Sequence, residues 1–166
     1  FKGSLTSNQA AQIMEAAILD IYPNYTVTQK PMADGGEGTI QSLLTSVDGK
    51  EIPVECTGAT GEQIQTTYAV IDGDTAIIEY AKIAGLTEVP VDQRNPDFTT
   101  SYGLGEVMLA AIERGCQRIV VGLGGSATMD GGLGMLQALG VQAYDEKGNK
   151  VGPYGKELTK VSRCSH

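Results

Sequence analysis

The sequence predicts an α/β fold, and three observations support this prediction. First, residues 6–47 alternate helical and strand-like apolar patterns around a glycine-rich turn, which is the rhythm of a parallel α/β layer. Second, residues 51–80 change to three strand-like segments joined by tight turns, which indicates a domain or subdomain boundary near residue 50. Third, an apolar strand in residues 118–122 continues through a second glycine-rich loop into a helix.

The part before residue 50 is predicted to form a helix, a strand, a loop and a second helix. Thr6 and Gln9 have the spacing of a capping box, and Pro23 marks the end of the helix behind them. Residues 25–30 are predicted to form a strand. The apolar positions at helical spacing are Ala10, Ile13, Met14, Ala17, Ile18 and Ile21 in the first helix and Ile40, Leu43, Leu44 and Val47 in the second.

The part after residue 50 begins with strands and continues with helices. Asp72-Gly73 is a hairpin signal, and Gly115 is the expected end of a helix over residues 102–114. The predicted strands cover residues 51–57, 63–71, 75–80, 118–122 and 141–144, with a loop at 90–98, a short helix at 135–139 and a turn at 145–148. The residues of the longer helix predicted to face inward are Leu104, Val107, Met108, Ala111 and Ile112.

Length and charge restrict the classes of protein to which the chain can belong. Its 166 residues allow one large domain or two small ones, and its formal net charge of −8 without a basic stripe argues against nucleic-acid binding. The three cysteines, Cys56, Cys116 and Cys164, are widely spaced and are typical of reduced thiols in a cytoplasmic protein. No apolar run reaches the length of a membrane span, so no membrane partner is expected.

Residues 122–134 carry the strongest functional signal. Glycines in this loop let the backbone approach a ligand, and the helix that follows offers N–H groups and a positive dipole end to an anion. We therefore expect phosphate or Mg²⁺ chemistry, and the alternative is a turn that binds nothing. The loop is not a Walker A motif, and it lacks the third glycine of a dinucleotide fingerprint. Its candidate residues are Gly124, Gly125, Ser126, Thr128 and Asp130.

Two shorter segments carry weaker signals. Asp34-Gly35-Gly36 follows the predicted strand, at the place where open α/β sheets bind ligands, and its glycines free N–H groups for an oxyanion. The alternative is that Asp34 and Glu37 form a capping box that needs no ligand. Lys2 and Ser4, just ahead of the first helix, could hold a phosphate or a carboxylate, or could simply be solvated.

The residue inventory narrows the reaction types. The one histidine is His166 at the terminus, which excludes Ser-His and Cys-His nucleophile systems and imidazole-rich metal sites. Carboxylates, hydroxyls, lysines and glycine-rich backbone remain. This inventory suits phosphoryl transfer, in which positioning and charge neutralisation matter more than covalent chemistry.

Three separated motifs, taken in order, resemble those of the type I glycerate kinase family, and the resemblance covers nearly the whole chain, at least to Pro153. They are Phe1-Lys2-Gly3-Ser4-Leu5, Met32-Ala33-Asp34-Gly35-Gly36-Glu37-Gly38-Thr39 and Gly124-Gly125-Ser126-Ala127-Thr128-Met129-Asp130-Gly131-Gly132. Asn95-Pro96, Thr99-Thr100-x-Tyr102-Gly103 and Gly134-Met135-Leu136-Gln137-Ala138-Leu139-Gly140 match as well.

The resemblance implies a two-domain α/β protein with its active site between the domains. Residues 1–50 would form part of a Rossmann-like first domain, and residues 51–166 would form an inserted α/β domain with a mixed sheet, which is expected to be incomplete. The first strand of such proteins, with its Asp-Ser, and their C-terminal half have no counterpart here. We therefore expect the chain to be a portion of a longer protein.

The resemblance also implies an activity, the phosphorylation of D-glycerate by ATP with Mg²⁺. Asp34, Asp130 and Lys2 are the implied catalytic residues, and it stays open which carboxylate is the general base and which binds the metal. The implied substrate and phosphate contacts are Ser4, Gly35, Gly36, Gly124, Gly125, Ser126 and Thr128. The alternatives are a non-catalytic module that binds nucleotides or anions and a dinucleotide-dependent oxidoreductase.

Overall fold

A mixed four-stranded sheet organises residues 4–165, the part of the chain that this computed structural model describes. In chain order the elements are α1 (Ser7–Ile21), α2 (Thr39–Leu44), β1 (Gly49–Thr57), β2 (Gln63–Ile71), β3 (Thr75–Glu79), α3 (Ala81–Ala84), α4 (Tyr102–Glu113), β4 (Arg118–Gly122), α5 (Leu133–Ala138), β5 (Gln142–Tyr144) and β6 (Arg163–Ser165).

The sheet has the order β1-β2-β3-β4 and combines antiparallel and parallel pairs. β1, β2 and β3 are antiparallel neighbours, and β4 joins β3 in parallel after a crossover that contains α3 and α4. Three residues connect β2 to β3, since Ile71 pairs with Thr75, and Asp72 and Gly73 among them have φ of 53° and 81°, positive values typical of tight hairpin turns. The predicted hairpin and the predicted α/β class with a mixed sheet are confirmed.

The core lies on both faces of β3, so this strand is buried along its whole length. On one face Ile78 belongs to a large cluster that includes Leu104 and Val107 of α4. On the other face Ile77 packs with Ile40 of α2 and Ala69 of β2. The two helices therefore cover opposite faces, and the loops that follow β3 and β4 meet at one edge of the sheet.

The local signals at the helix ends are confirmed. Thr6 Oγ1 accepts a hydrogen bond from the Gln9 N–H at 3.1 Å, and Gln9 Oε1 accepts one from the Thr6 N–H at 2.9 Å, as the capping box predicts. α4 ends just before Gly115, which has a φ of 99°. Such signals act within a few residues and need no tertiary partner.

Two predictions that depend on distant partners are wrong. Residues 25–30 form no strand, because no other strand in the described part of the chain pairs with them and their backbone groups join no ladder. Ile112 does not face inward: it is 50% exposed, because it lies at the margin of the apolar face of α4, whereas Val107 and Ala111 are fully buried.

The boundary predicted near residue 50 falls at the beginning of β1. Ile40 lies before it in the chain and packs with Ala69 and Ile77 beyond it. The segments on either side of the boundary thus share a small core cluster. The assignment of residues 1–50 and 51–166 to separate domains stays a prediction.

Within residues 4–165 no helix combines the length and the apolar character that a bilayer crossing needs. All three cysteines are free, with Cys56 and Cys116 buried and Cys164 exposed. The cytoplasmic location expected from these thiols stays a prediction.

Candidate functional site

Two glycine-rich loops meet where β4 ends. We call residues 34–38 the first loop and residues 122–132 the second loop. The Gly124 N–H donates a hydrogen bond of 2.8 Å to the Gly35 carbonyl oxygen. The structure thus brings together two of the three motifs that the sequence singled out.

The contact between the loops is a contact of bare backbone. A Cβ added to Gly124 would lie 2.6 Å from the Gly36 nitrogen, and one added to Gly122 would lie 2.6 Å from the Gly35 oxygen. Neither distance is possible for a real side chain without moving a backbone. Glycine is therefore required at both positions of the second loop, because only glycine lets the two backbone segments approach this closely.

The first loop presents carboxylates beside this contact. Asp34 is exposed, and its Oδ1 accepts a hydrogen bond of 2.9 Å from the Gly36 N–H. Glu37 is also exposed, accepts a 2.9 Å hydrogen bond from the Thr87 hydroxyl, and would lie 3.9 Å from a Cβ on Gly125. The alternative in which Asp34 and Glu37 form a capping box is wrong, because the N-cap of α2 is Gly38.

Asp130 of the second loop is buried, with only 2% of its surface exposed. Its Oδ2 accepts from the Ser101 N–H at 2.8 Å, the Ser101 hydroxyl at 2.6 Å and the Gly134 N–H at 3.1 Å. Its Oδ1 accepts from the Gly132 N–H at 3.1 Å. Both oxygens are occupied by protein donors, so the geometry favours a positioning role, and the predicted catalytic role stays a prediction.

The N–H groups that begin α5 are bonded within the protein. The Gly132, Leu133 and Gly134 N–H groups donate to oxygens of Asp130, and the Met135 N–H donates to the Ser101 hydroxyl at 3.0 Å. The expectation that this helix start offers unpaired donors to an anion is therefore wrong. The N–H groups of residues 132–135 are therefore not available to an anion at the second loop.

The same holds for the first loop. The Gly36 N–H donates to Asp34, and the Gly38 N–H donates to the carboxylate of Glu79 at 2.8 Å. The expectation that the glycines after Asp34 free their N–H groups for an oxyanion is wrong at Gly36. The first loop also presents the exposed carboxylates of Asp34 and Glu37 to a ligand.

The exposed part of the second loop is hydrogen-bonded to the segment at the end of α3. The Leu86 N–H donates to the Gly125 oxygen at 2.8 Å, and the Ala127 N–H donates to the Ala84 oxygen at 2.9 Å. Ser126 is exposed, and its hydroxyl donates to the Leu123 oxygen at 2.8 Å. These bonds present Gly125 and Ser126 to solvent on a fixed backbone.

Thr128 is anchored by a buried tyrosine. Its hydroxyl and that of Tyr80 form a hydrogen bond of 2.7 Å, and Tyr80 is only 3% exposed. Burial raises the pKa of Tyr80 to about 12. The nearby charge of Asp130 also raises this pKa, whereas the hydrogen bond to Thr128 lowers it. The tyrosine hydroxyl is therefore protonated at neutral pH.

The structure places the remaining predicted residues as follows. Ser4 is exposed and lies just before the N-cap of α1. Lys2 lies outside the described residues. The predicted roles of all the site residues stay predictions.

Two features of the site have positions and roles that the sequence did not predict. Glu79 ends the fully buried strand β3 and Tyr80 follows it, and Thr99, Thr100 and Ser101 form a buried polar run beneath the second loop. A signal for the first pair was available, since polar residues at the carboxyl end of a buried strand are frequent in the binding sites of α/β sheets.

Comparisons with known proteins point to one family. The glycerate kinase family model matches residues 1–166. The chain is 44% identical to a glycerate kinase of Bacillus subtilis, over 98% of this chain and 43% of that protein, and 41% identical to the glycerate 2-kinase of Escherichia coli over the same shares. The crystal structure of a putative glycerate kinase 2 from Salmonella typhimurium LT2 has a TM-score of 0.82 and 38% identity, over 99% of this chain and 45% of that one. The chain thus spans less than half the length of these relatives.

The contact between the loops predicts that a methyl group at Gly124 destabilises the fold more than one at a glycine outside the contact. Gly124→Ala should lower the free energy of unfolding by about 1–3 kcal/mol, because the added carbon overlaps the Gly36 backbone. Gly152→Ala is the control, since its Cβ would meet only the Glu157 side chain at an ordinary 3.7 Å. Urea denaturation measures both, and equal costs for the two variants would contradict the contact.

The buried tyrosine predicts a pH dependence of stability. The pKa of Tyr80 is raised from 10.0 to about 12 in the folded protein. The stability that the protonated hydroxyl contributes is therefore fully present below pH 10 and is lost as the pH rises through 12. Tyr80→Phe should remove that loss while costing about 1 kcal/mol at neutral pH through the missing bond to Thr128. Thermal denaturation of both proteins at rising pH measures the difference in stability. A difference that stays constant through pH 10 to 12 would contradict the assignment.

Proposed function

The chain belongs to the glycerate kinase family, and from that membership we propose that it supplies part of the active site of an ATP-dependent kinase that phosphorylates D-glycerate. The product would be 2-phosphoglycerate or 3-phosphoglycerate. The single observation that carries the proposal is the hydrogen bond between Gly124 and Gly35, which joins two motifs of the family into one surface.

The chemistry of this surface suits phosphoryl transfer. Such reactions depend on holding the donor and acceptor oxygens in line and on neutralising the charge of the transferred group. The loops supply a fixed glycine-rich backbone at residues 124–126 and an exposed carboxylate at Asp34. A rigid backbone beside a carboxylate is the arrangement that such positioning needs.

Asp34 is the proposed acid–base residue or metal ligand. Its Oδ1 is oriented by the Gly36 N–H, and the carboxylate as a whole is exposed to a ligand. As a general base it would accept the proton of the glycerate hydroxyl while that oxygen attacks the γ-phosphorus of ATP and the bond to ADP breaks. As a metal ligand it would hold Mg²⁺ against the phosphates.

The second loop is proposed to hold the phosphates. Gly124, Gly125 and Ser126 would approach them with backbone and hydroxyl groups, and Thr128 would be kept in place by Tyr80. We further propose that Lys2 and Ser4 approach the phosphate or the glycerate carboxylate. Asp130 would act from beneath, by fixing the backbone that these residues share.

The residues present fit a magnesium ion bound together with substrate. Mg²⁺ usually takes one or two protein carboxylates and completes its shell with phosphate oxygens and water. Asp34 and Glu37 offer exposed carboxylates beside the second loop, and residues 4–165 contain no group of three acidic, histidine or cysteine residues that could hold a metal alone. When bound, the ion would neutralise charge on the transferred phosphoryl group.

We also propose that residues 1–50 belong to a Rossmann-like domain and residues 51–166 to an inserted domain. The two loops lie on opposite sides of this boundary in the chain, and the contact between them supports an active site at the junction. The proposed reaction belongs to the longer protein of which such domains would be parts.

The role of Asp34 can be tested in the full-length protein. Asp34→Asn should lower turnover of D-glycerate and ATP by about 100-fold or more, because it removes the carboxylate that accepts the proton or binds the metal. Asp145→Asn is the matched control, since Asp145 Oδ1 accepts a 2.9 Å hydrogen bond from the N–H two residues on, in a turn after β5. The measurement is the rate of phosphoglycerate formation. Turnover near that of the unmodified protein would remove Asp34 from the mechanism, and nucleotide binding without any turnover in that protein would favour a non-catalytic module.

A further inference from the structure

Glu79 is a buried carboxylate without a role in the site described so far. It is the last residue of β3, and only 2% of its surface is exposed. Oε1 accepts a 2.8 Å hydrogen bond from the Gly38 N–H, and Oε2 accepts one of 3.0 Å from the Ile40 N–H. Both carboxylate oxygens therefore bind backbone at the beginning of α2.

A carboxylate at this depth needs compensation. Burying a charge is costly unless it is paired or hydrogen-bonded, and no lysine or arginine in residues 4–165 forms an ion pair with Glu79. The compensation comes from two N–H donors at the first turn of α2. Bonds to a charged acceptor are stronger than neutral ones, so this contact ties Gly38 and Ile40 firmly to β3.

The tie to β3 is the second of two anchors on the first loop. The other anchor is the bond between Gly35 and Gly124, next to the end of β4. Glu79 lies opposite Gly122 in the β3–β4 register, so the two anchors stand on neighbouring strands at one level of the sheet. Asp34 directly precedes the segment that these anchors hold.

We propose that Glu79 is a positioning residue for phosphoryl transfer, which clamps the carboxyl end of the first loop so that Asp34 is held against the second loop. This inference rests on the function proposed above. Glu79 acts through Gly38 and the backbone that leads to Asp34, without contact with the substrate.

The kinetic test is Glu79→Gln in the full-length protein. The amide keeps the size of the side chain but has one acceptor oxygen, so one of the two N–H groups faces an NH₂ donor instead. We expect kcat to fall about tenfold or more while KM for ATP changes by less than about threefold, since an interaction made only in the transition state is weakened. Glu106→Gln is the matched control, because Glu106 accepts a 2.6 Å hydrogen bond from the Thr57 N–H on β1, which lies two strands from β3 in the sheet, and kcat should be unchanged.

Hydrogen exchange tests the clamp without reference to turnover. In Glu79→Gln at least one of the two amides, Gly38 or Ile40, should exchange about tenfold faster or more, while the amides paired between β3 and β4 keep their protection. Unchanged exchange at Gly38 and Ile40, or an equal loss of kcat in Glu79→Gln and Glu106→Gln, would overturn the proposal.

Two outcomes separate this inference from the function on which it rests. If the unmodified full-length protein does not phosphorylate D-glycerate, the proposed function fails, and with it the kinetic role of Glu79, whereas the exchange result still decides whether the clamp exists. If Glu79→Gln does not fold, Glu79→Asp keeps the charge on a shorter side chain and takes its place. Faster exchange at the Gly38 or Ile40 amide together with a reduced kcat supports the clamp. Unchanged exchange at both amides, or an unchanged kcat, overturns it.

Discussion

The approach of two bare backbones, at Gly35 and Gly36 on one side and Gly122 and Gly124 on the other, is the constraint on which the site depends. Added methyl carbons at Gly122 or Gly124 would lie 2.6 Å from backbone atoms of the first loop, so the contact exists only because side chains are missing. It fixes a loop that precedes α2 to the end of β4. The rigid sheet thereby sets the position of Asp34 relative to residues 124–128.

Buried carboxylates solve the same problem at the beginning of two helices. Asp130 and Glu79 accept the N–H groups of α5 and α2, which satisfies donors that would otherwise be buried without partners. This arrangement makes both helix starts unavailable to an anionic substrate. The groups left for a ligand are the exposed ones, namely Asp34, Glu37 and the backbone and hydroxyl around Ser126, and a bound cation would complement the two carboxylates.

The comparison of sequence with structure shows which physics is local. The capping box of Thr6 and Gln9 and the hairpin at Asp72 were predictable because neighbouring residues determine them. The prediction of a strand at residues 25–30 was wrong because a strand needs a partner strand, and the local sequence does not show whether one is present. The glycines and Asp34 identified the two loops as candidate sites, but the contact between the loops could not be predicted from the sequence. Glu79 escaped notice because its partner Gly38 lies far away in the chain and meets it only once β3 has joined the sheet.

We propose that both loops contact the same bound nucleotide and substrate. The most direct measurement is hydrogen exchange of the full-length protein with and without Mg²⁺, D-glycerate and a non-hydrolysable ATP analogue. We expect the amides in residues 34–38 and 123–128 to become protected together, while those of β5 and β6 do not change. Protection of one loop alone, or of neither, would contradict it.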